Sequence, residues 1–290
     1  MYNNIVAIVL NYRTPEKTIK CLRCLVDQHI SRIILVENSE DEGITIAKMQ
    51  SGLDSLINNQ VSIKIINNNK NLGFSAGVNI ALESGYIYEE DAALLINSDA
   101  YLENNSLMGL VKAINAGVDV AAPMVSEPNQ PLRAPVFYYQ KHFALLTRNY
   151  LPGSFPYITG ACMLLSSRVK EIKLFDEDFF FYGEDVMLGA KMLQQKRSCQ
   201  VVATSIAVHE GAGSSRNGSE FYEYHINRGH WLLAQKLNQS KIDHHISLAG
   251  RWFTLATRAL LRSVRYKSLN PIKGFWNSRP ANKKQHIRPS

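Results

Sequence analysis

Long apolar runs are missing from this 290-residue sequence. None reaches the roughly 18 uninterrupted apolar residues that a membrane-spanning helix needs. The opening residues, MYNNIVAIVLNYRT, also lack the basic segment that begins a secretory signal peptide. We therefore expect a cytoplasmic protein without a spanning helix. Its 46% hydrophobic content suffices for a sizeable core in one large domain or two small ones.

Cysteine is scarce, at four residues. Cys21 and Cys24 form a C-x-x-C inside a helix-like segment, but no second pair follows to complete a zinc site. Four scattered cysteines in so long a chain do not make a disulfide scaffold. We expect free thiols whose role is packing.

Two glycine-rich phosphate-binding fingerprints are also missing. The sequence has no G-x-x-x-x-G-K-[ST], and the GFSAG segment at residues 73–77 does not have the spacing G-x-G-x-x-G. These absences disfavour a P-loop enzyme and a Rossmann oxidoreductase.

Acidic residues are missing from the C-terminal part of the chain. Residues 244–290 contain ten Lys or Arg and no Asp or Glu. The rest of the chain then holds 22 basic and 25 acidic residues, a formal charge of −3 against +7 for the whole. The basic character of the protein therefore belongs to this terminal segment, and since no recognition motif accompanies it, we predict no nucleic-acid partner.

The basic segment contains a predicted amphipathic helix, LAGRWFTLATRALLRSVRY, at residues 248–266. At 100° per residue, one face carries Arg251, Arg258, Arg262 and Arg265. The other carries Trp252, Phe253, Ala256, Leu260 and Val264. Two interpretations stay open: a membrane-surface helix whose arginines face anionic lipid headgroups, or a helix packed on the body with a solvated basic face.

Apolar runs alternate with helical patterns through the first 125 residues. The strand-like runs are NIVAIVLNY, RIILVEN, VSIKIINN, AALLINSD and VDVAAPMV. Continuous apolar strands separated by helices predict an α/β fold with a doubly wound, mostly parallel sheet. A proline-containing stretch at residues 127–156 precedes a second set of elements. We predict a domain at residues 1–240, with halves at 1–125 and 126–240, and a C-terminal helical extension at 241–290.

Ligands of such sheets bind outside the carboxyl ends of the strands. That rule selects the polar residues at predicted strand ends, which are Asn11, Glu37, Asn38, Asn67 to Asn71 and Asn97 to Asp99. Asn and Gly also suit ordinary turns, so a plain loop is an alternative for the asparagine-rich stretch. Gly73 and Gly77 allow close backbone approach and a helix start near an anion.

Three polar clusters contain residues suited to chemistry: NSD at 97–99, GED at 183–185 and HEGAGSS from His209. An Asp and a His at strand ends are ligands that a divalent cation accepts, particularly beside phosphate oxygens. Each cluster alone is weak evidence. A strand-end Asp is commonly a turn residue, and acidic residues favour any helix N-terminus.

Six segments follow one another along the chain: VLNYRTPEKTIKCL, VENS, NNNKNLGFSAGVNIAL, LLINSDAYL, ITGACMLLSSRVKEIKLFDEDFFFYGEDVMLGAKM and VHEGAGSS. In this order they resemble the family 2 glycosyltransferases of the GT-A fold, most closely the bacterial rhamnosyltransferase-like branch. The resemblance covers roughly residues 4–216, and its long segment around GED is the most specific.

The resemblance implies a metal-dependent, inverting transfer of a sugar from a nucleoside diphosphate donor. Asp185, with Glu184 beside it, is then the general base, and Asp99 and His209 bind Mg²⁺ or Mn²⁺. The predicted donor pocket consists of Asn11, Glu37, Asn38, Asn71, Gly73, Phe74, Gly77, Asn79, Asn97 and Ser98. Two positions depart from the family pattern, because Asn97 replaces the first Asp of a D-x-D and Glu37 stands where Asp is commoner.

The leading hypothesis is an enzyme that extends a bacterial surface polysaccharide such as O-antigen or capsule. Its expected donor is dTDP-rhamnose, with UDP-Gal, UDP-GlcNAc or UDP-Galf as alternatives. Its expected acceptor is a lipid-linked glycan at the inner leaflet, which the protein reaches as a peripheral membrane protein. The alternative is a sugar-nucleotide-binding scaffold without turnover. The enzyme hypothesis requires Asp99, Asp185 and His209 to converge on one cavity.

Overall fold

A computed structural model of the chain describes residues 4–57, 60–170, 173–211, 217–238 and 240–280. The chain folds into two units. Unit 1 comprises Met1–Pro135, Thr159–Phe175 and Met192–Ser214, and unit 2 comprises Val136–Ile158, Asp176–Lys191 and Ser215–Ser290. The sequence instead predicts boundaries at residues 125 and 240, which separate a donor half, an acceptor half and a C-terminal extension. This functional division stays a prediction.

In the described residues, strands and helices alternate from Ile5 to Asn97, and runs of successive strands or successive helices follow. The strands are β1 (Ile5–Asn11), β2 (Arg32–Glu37), β3 (Ser62–Asn67), β4 (Ala92–Asn97), β5 (Ala100–Leu102), β6 (Val120–Ser126), β7 (Val136–Gln140), β8 (Leu145–Thr147), β9 (Ser154–Ile158), β10 (Cys162–Leu165) and β11 (Cys199–His209). The helices are α1 (Pro15–Asp27), α2 (Ile44–Leu56), α3 (Gly73–Glu83), α4 (Ser106–Asn115), α5 (Glu184–Gln194), α6 (Glu220–Lys236), α7 (Lys241–Tyr266) and α8 (Asn270–Asn277).

Unit 1 is built on an eight-stranded sheet with the order β3-β2-β1-β4-β10-β6-β11-β5. Strands β1 to β4 pair in parallel, and β6 pairs in parallel with β11. Strand β10 lies antiparallel between β4 and β6, and the short β5 lies antiparallel on β11. The predicted mostly parallel α/β sheet is therefore confirmed, with two antiparallel strands that the apolar pattern alone does not reveal.

Successive side chains of the central strands are buried on opposite faces of the unit 1 sheet. Ala7 and Val9 of β1 join one buried cluster with residues of α1, α2 and α4, whereas Ile8 is buried outside that cluster. This is the period-two pattern of a strand covered on both faces. Thr14 is the N-cap residue of α1 and Pro15 its first helical residue, a position that suits the fixed φ of proline. The four cysteines are free thiols.

Unit 2 combines a three-stranded antiparallel sheet, β8-β7-β9, with helices α6 to α8. Its core includes Tyr139 of β7, Trp231 of α6 and Phe275 of α8, all buried. Ser219 and Ser240 each cap a helix by accepting a hydrogen bond from the backbone N–H three residues on. The aromatic clusters of the sequence thus serve largely to pack this unit.

Three arginines of helix α7 point inward, which differs from the prediction made from sequence. Arg251 is fully buried, and its Nε donates to the His230 carbonyl at 2.8 Å. Arg262 Nη2 lies 2.6 Å from the buried carboxylate of Glu223, and Arg258 Nη1 lies 3.5 Å from the same carboxylate. The expectation that these three arginines face lipid headgroups is therefore wrong, because they hold α7 against α6. A solvated basic face is equally absent at these three positions.

The contacts of Arg251 and Arg258 have an electrostatic consequence at His230. Burial, followed by the charges of Arg258 and Arg251, lowers the pKa of His230 to about 3. The imidazole is therefore neutral at physiological pH and can share a hydrogen bond with Tyr139, whose hydroxyl lies 3.1 Å from Nδ1.

Among the described residues, no helix is both long and apolar enough to cross a bilayer.

Candidate active site

The carboxyl ends of six parallel strands meet at one edge of the unit 1 sheet. They are β1, β2, β3, β4, β6 and β11, because β10 and β5 run the other way. The strand-end residues there are Asn11, Glu37, Asn67, Asn97, Ser126 and His209. The topology thus brings together the polar strand ends that the sequence singles out.

Asn11 and Glu37 form a buried pair at this edge. Asn11 Nδ2 donates to Glu37 Oε2 at 2.5 Å, and Glu37 Oε1 accepts from the Ser39 backbone N–H at 2.6 Å. Asn11 Oδ1 accepts from Thr18 Oγ1 at 2.7 Å and from the Thr14 hydroxyl at 3.0 Å. These bonds tie the ends of β1 and β2 to α1, so the pair has a structural role. Its contact with a nucleotide stays a prediction.

The asparagine-rich loop before α3 is held by its own amides. Asn38 Nδ2 donates to the Gly73 carbonyl at 3.1 Å, and Asn68 Nδ2 donates to Asn38 Oδ1 at 2.8 Å. The Gly73 backbone N–H donates to Asn71 Oδ1 at 3.0 Å. Gly73 has φ +80°, a left-handed conformation that L side chains rarely adopt. The density of Asn in this segment therefore builds the loop itself, and Asn71 remains partly exposed.

Helix α3 is fixed at two of its four predicted donor-pocket positions, Gly77 and Asn79. A Cβ on Gly77 would lie 2.5 Å from Leu10 Cδ1, so this glycine lets α3 pack closely on β1. The buried amide of Asn79 donates to the Phe175 carbonyl at 2.8 Å and accepts from its N–H at 3.1 Å. Phe74 packs edge-on against Phe175 and stays partly exposed. Of these residues, Phe74 is the one whose side chain a ligand can reach directly.

Asn97, Ser98 and Asp99 form the turn between β4 and β5, and all three are partly exposed. The Asn97 backbone N–H donates to the Ala161 carbonyl at 3.0 Å, which fixes the start of the turn on the neighbouring chain segment. The Ser98 hydroxyl lies 3.2 Å from the hydroxyl of Thr14 at the start of α1. The NSD segment is thus an ordered, accessible turn at the ligand edge of the sheet.

Asp99 and His209, the predicted metal ligands, lie side by side. His209 Nε2 is 3.4 Å from Asp99 Oδ1, and the pairing of β11 with β5 sets this spacing because His209 opposes Ala100 in the register. The two side chains are 12% and 20% exposed, so solvent and ligands reach them. One carboxylate and one imidazole nitrogen at this separation are close enough to share a divalent cation.

Glu127 is a third member of this cluster that the sequence analysis missed. Its Oε1 lies 3.4 Å from His209 Nδ1, and its other oxygen pairs with Arg133. A carboxylate on one imidazole nitrogen orients the ring and leaves the other nitrogen free to bind a metal. Glu127 directly follows β6, so the strand-end rule, applied to one more strand, would have found it.

The charges of this cluster support one another. Burial acts to raise the pKa of Asp99, but the hydrogen bond and charge of His209, with Lys17, outweigh it and hold that pKa below its ordinary value. Burial acts to lower the pKa of His209, but Asp99 and then Glu127 raise it above its ordinary value. Each member of the pair thus favours the charged form of the other. Carboxylate and imidazole are donors that Mg²⁺ or Mn²⁺ accept, but no group of three or more His, Cys, Asp or Glu side chains among the described residues is placed to hold a metal ion, so the cation site stays a prediction.

The predicted base and its neighbour begin helix α5, in unit 2. Glu184 and Asp185 are its first two residues, and Gly183 before them has φ +103°. Burial, followed by the charge of Asp185, raises the pKa of Glu184 to about 8. Glu184 is therefore largely protonated at neutral pH, and its Oε2 is buried without a hydrogen-bond partner among the described residues.

The aromatic segment before α5 packs within unit 2. Phe179 is buried, Phe180 stacks on His225 with centroids 4.8 Å apart, and Tyr182 contacts Tyr222 edge-on. Gly229 of α6 passes so close that a Cβ there would lie 2.4 Å from the Tyr182 carbonyl. The turn that presents Glu184 and Asp185 is thus held by α6.

The structure therefore brings Asp99 and His209 together, with Asn97 and Ser98 in the same turn as Asp99. Asp185 belongs to unit 2, and its convergence with them on one cavity stays a prediction. Residues 212–215 of the HEGAGSS motif lie outside the described residues.

Comparison with solved structures shows the fold. A mannosyltransferase from Pyrobaculum calidifontis, in complex with GDP-Man and Mn²⁺, matches 96% of this chain and 84% of its own, at 11% identity and a TM-score of 0.56. A glucose-1-phosphate thymidylyltransferase from Bacillus anthracis, in complex with sucrose, matches 83% of this chain and 99% of its own, at 14% identity and a TM-score of 0.48. No curated protein matches the chain.

A protein-family model described as "Glycosyltransferase like family 2" matches residues 3–255, which is most of the chain. The mixed α/β sheet described above is the GT-A arrangement expected of that family. The rhamnosyltransferase-like branch stays a prediction. The chain belongs to glycosyltransferase family 2, and it is a glycosyltransferase of the GT-A fold.

Proposed function

We propose that the protein transfers a sugar, with inversion, from a nucleoside diphosphate donor to a hydroxyl group of a lipid-linked glycan. The observation that carries this proposal is the Asp99–His209 pair, 3.4 Å apart at the ligand edge of a family 2 sheet. A pair of this kind suits a cation that neutralises a diphosphate. The structurally similar mannosyltransferase from Pyrobaculum calidifontis, solved with GDP-Man and Mn²⁺, supports the same class of donor and cation.

Different residues at this edge of the sheet are proposed to bind the cation and the donor. Asp99 and His209 hold the cation, and Glu127 orients the His209 ring. Bound there, Mg²⁺ or Mn²⁺ supplies Lewis-acid stabilisation of the charge on the leaving diphosphate. Asn71, Phe74, Asn97 and Ser98 are the predicted donor residues that remain partly exposed, so they are the ones that contact the donor.

Asp185 is the proposed base. A sugar hydroxyl is a poor nucleophile, and a carboxylate within hydrogen-bond reach accepts its proton as attack proceeds, which contributes about 100-fold to 10,000-fold to the rate. Glu184, with its raised pKa, is mostly protonated at neutral pH and therefore unsuited to the same task. Of the two adjacent carboxyl groups at the start of α5, Asp185 is thus the one assigned to the acceptor hydroxyl.

The donor sugar and the acceptor follow from the family resemblance and from the surface of the protein. The resemblance to the rhamnosyltransferase-like branch makes dTDP-rhamnose the first donor to test and UDP-Gal, UDP-GlcNAc and UDP-Galf the next. The C-terminal segment, with ten basic and no acidic residues, supports an acceptor carried by an anionic membrane, such as the lipid-linked precursor of a bacterial surface polysaccharide.

The proposal is tested by following nucleotide release and glycan transfer with this donor panel, with Mn²⁺ or with EDTA. We expect EDTA and Asp99→Ala to abolish most turnover, and Asp185→Asn to reduce it by about 100-fold or more. Asp54→Asn, at an exposed position of α2, is the matched control and should behave as the wild type. Near-full transfer by Asp185→Asn would exclude it as the base. Donor binding with no transfer to any lipid-linked acceptor would favour the scaffold hypothesis.

A further inference from the structure

The outer face of α7 is apolar and uncovered in the part of the chain that the structure describes. At 100° per residue, five side chains on it fall within about 40° of arc, along a helix of about 39 Å. They are Ile242 (75% exposed), Ile246 (52%), Phe253 (73%), Leu260 (59%) and Val264 (79%). We call these five residues the α7 stripe. A stripe this exposed is unusual in a water-soluble helix, which normally turns its apolar face inward.

The orientation of α7 is fixed by the opposite face. Arg251, Arg258 and Arg262 point inward, where Glu223 of α6 pairs with two of them and the His230 carbonyl accepts from the third. Rotating the helix to bury the stripe would break these ion pairs and leave Glu223, which is fully buried, without its cations. The stripe is therefore held outward by the charges behind it.

Aromatic and basic side chains lie on α7 and on α8, where Phe275 packs against Trp252 of α7. Trp252 is 44% and Trp276 55% exposed, and the Arg279 guanidinium lies 3.3 Å from the Trp276 ring centroid and 5.4 Å from that of Trp252. Lys267 and Lys273, at the C-terminal end of α7 and on α8, are exposed. Tryptophan together with Lys and Arg is the combination found where a protein meets the boundary between acyl chains and headgroups.

Two occupants fit an apolar stripe of this kind, a second copy of the chain and a membrane. The charge of this region favours the membrane. Among the described residues from His244 onward, the exposed charged side chains are those of Arg265, Lys267 and Lys273, so two copies packed stripe to stripe would oppose one basic surface to another. A bilayer with anionic headgroups offers both an apolar layer for the stripe and negative charge for these basic side chains.

We propose that the α7 stripe inserts into the headgroup–acyl boundary of an anionic membrane, with Trp252 and Trp276 at the interface and Lys267 and Lys273 against the headgroups. The inserted face is thus the apolar one, while the arginines fasten α7 to α6. The proposal deepens the proposed function by naming the surface that reaches a lipid-linked acceptor, and it rests on that function for the biological meaning of the contact.

The experiment is vesicle co-sedimentation of the full chain, with phosphatidylcholine vesicles and with vesicles that also contain phosphatidylglycerol. The test variant carries Phe253→Ser, Leu260→Ser and Val264→Ser. The control variant carries Ile44→Ser, Tyr88→Ser and Met108→Ser, which replace similarly exposed side chains elsewhere (58%, 59% and 58%). We expect the stripe variant to lose about 100-fold or more in partition coefficient and the control variant to lose little.

A variant with Lys267→Gln and Lys273→Gln should lose about 30-fold on the anionic vesicles and little on neutral ones. Equal binding by the stripe variant and the wild type would overturn the proposal, as would a wild type that binds neither vesicle. A lipid-free wild type that dimerises, and that the stripe substitutions make monomeric, would show that a second copy covers the stripe instead.

Transfer to a soluble acceptor separates this proposal from the proposed function. The stripe lies outside every residue assigned to the donor, the cation or the base, so the stripe variant should keep wild-type nucleotide release in solution. A wild type that lacks transferase activity but still binds anionic vesicles through the stripe would contradict the proposed function and leave the stripe proposal intact. If the triple variant proves unstable, Val264→Asn alone, at the most exposed position, gives the same test with a smaller effect.

Discussion

At the scale of single residues, Glu127 is predicted to orient the His209 ring for the proposed cation. Its carboxylate lies 3.4 Å from Nδ1, on the side of the ring away from Asp99. Glu127→Gln keeps the size of the side chain but removes the charge that fixes the proton on Nδ1. Since outer carboxylates of this kind typically contribute 10- to 100-fold to metal affinity, we expect Mn²⁺ affinity to fall by about that factor.

Calorimetric titration with Mn²⁺ measures the effect of Glu127→Gln without any turnover. Glu103→Gln, at an exposed position just after β5, is the control and should keep the wild-type affinity. The thermal stability of the metal-free variant should change far less than its Mn²⁺ affinity. Unchanged affinity would show that Glu127 serves only as the partner of Arg133.

Sequence predicted the location of the site better than the roles of its residues. The strand-end rule placed Asn11, Glu37 and Asn97 at one edge, and the parallel sheet confirms that placement. It did not show that Asn11 and Glu37 bond to each other, since a polar strand end looks the same whether it faces a ligand or a neighbouring strand. That distinction depends on the lateral register of β1 and β2, which places Asn11 opposite Glu37.

At the scale of elements, Glu223 determines which face of α7 packs. It is fully buried on α6 and faces Arg262 and Arg258. Removing one partner of a buried ion pair leaves the other charge uncompensated, which costs about 3–5 kcal/mol. Arg258 and Arg262 are 26% and 17% exposed, so water compensates part of their charge. We therefore expect Glu223→Gln to lower the free energy of unfolding by about 3 kcal/mol, the low end of that range.

Urea unfolding measures this loss. Glu220→Gln, one turn earlier on the same helix, replaces a carboxylate that accepts from Asn277 and should cost less than about 1 kcal/mol. Equal losses for the two variants would contradict the role assigned to Glu223.

Helix α7 also shows what amphipathicity does and does not predict. The sequence correctly separates the arginines from Phe253, Leu260 and Val264, because the period of a helix fixes which residues share a face. Which face turns inward is set by the partner, and Glu223 belongs to a different helix. A basic face is normally solvated, so the sequence pattern alone favours the wrong orientation. The buried glutamate on α6 is the feature that reverses it.

At the scale of the whole molecule, the stability of the protein should depend on pH through Glu184. Its pKa in the folded protein is raised to about 8 from an ordinary value of 4.5. Between these pH values the unfolded chain releases the proton and the folded chain keeps it. The folded state then binds more protons, so the contribution of Glu184 to the free energy of unfolding falls as pH rises from about 4.5 to about 8.

Tryptophan fluorescence reports this change selectively. All three tryptophans, Trp231, Trp252 and Trp276, belong to unit 2, which also contains Glu184. We expect Glu184 to contribute a fall in the fluorescence-detected free energy of unfolding of the wild type, by at most about 1.4 kcal/mol per pH unit. Below about pH 6.5 the lowered pKa of His230 contributes a rise, so the contribution of Glu184 is measured as the difference between the wild type and Glu184→Gln. Glu184→Gln is neutral in both states, so it should lose this slope and be more stable than the wild type near pH 8. Glu177→Gln, an exposed position in the same unit, should retain the wild-type slope. Parallel pH profiles for the wild type and Glu184→Gln would show that Glu184 ionises normally in the folded protein, and the division of roles between Glu184 and Asp185 would then lose its electrostatic basis.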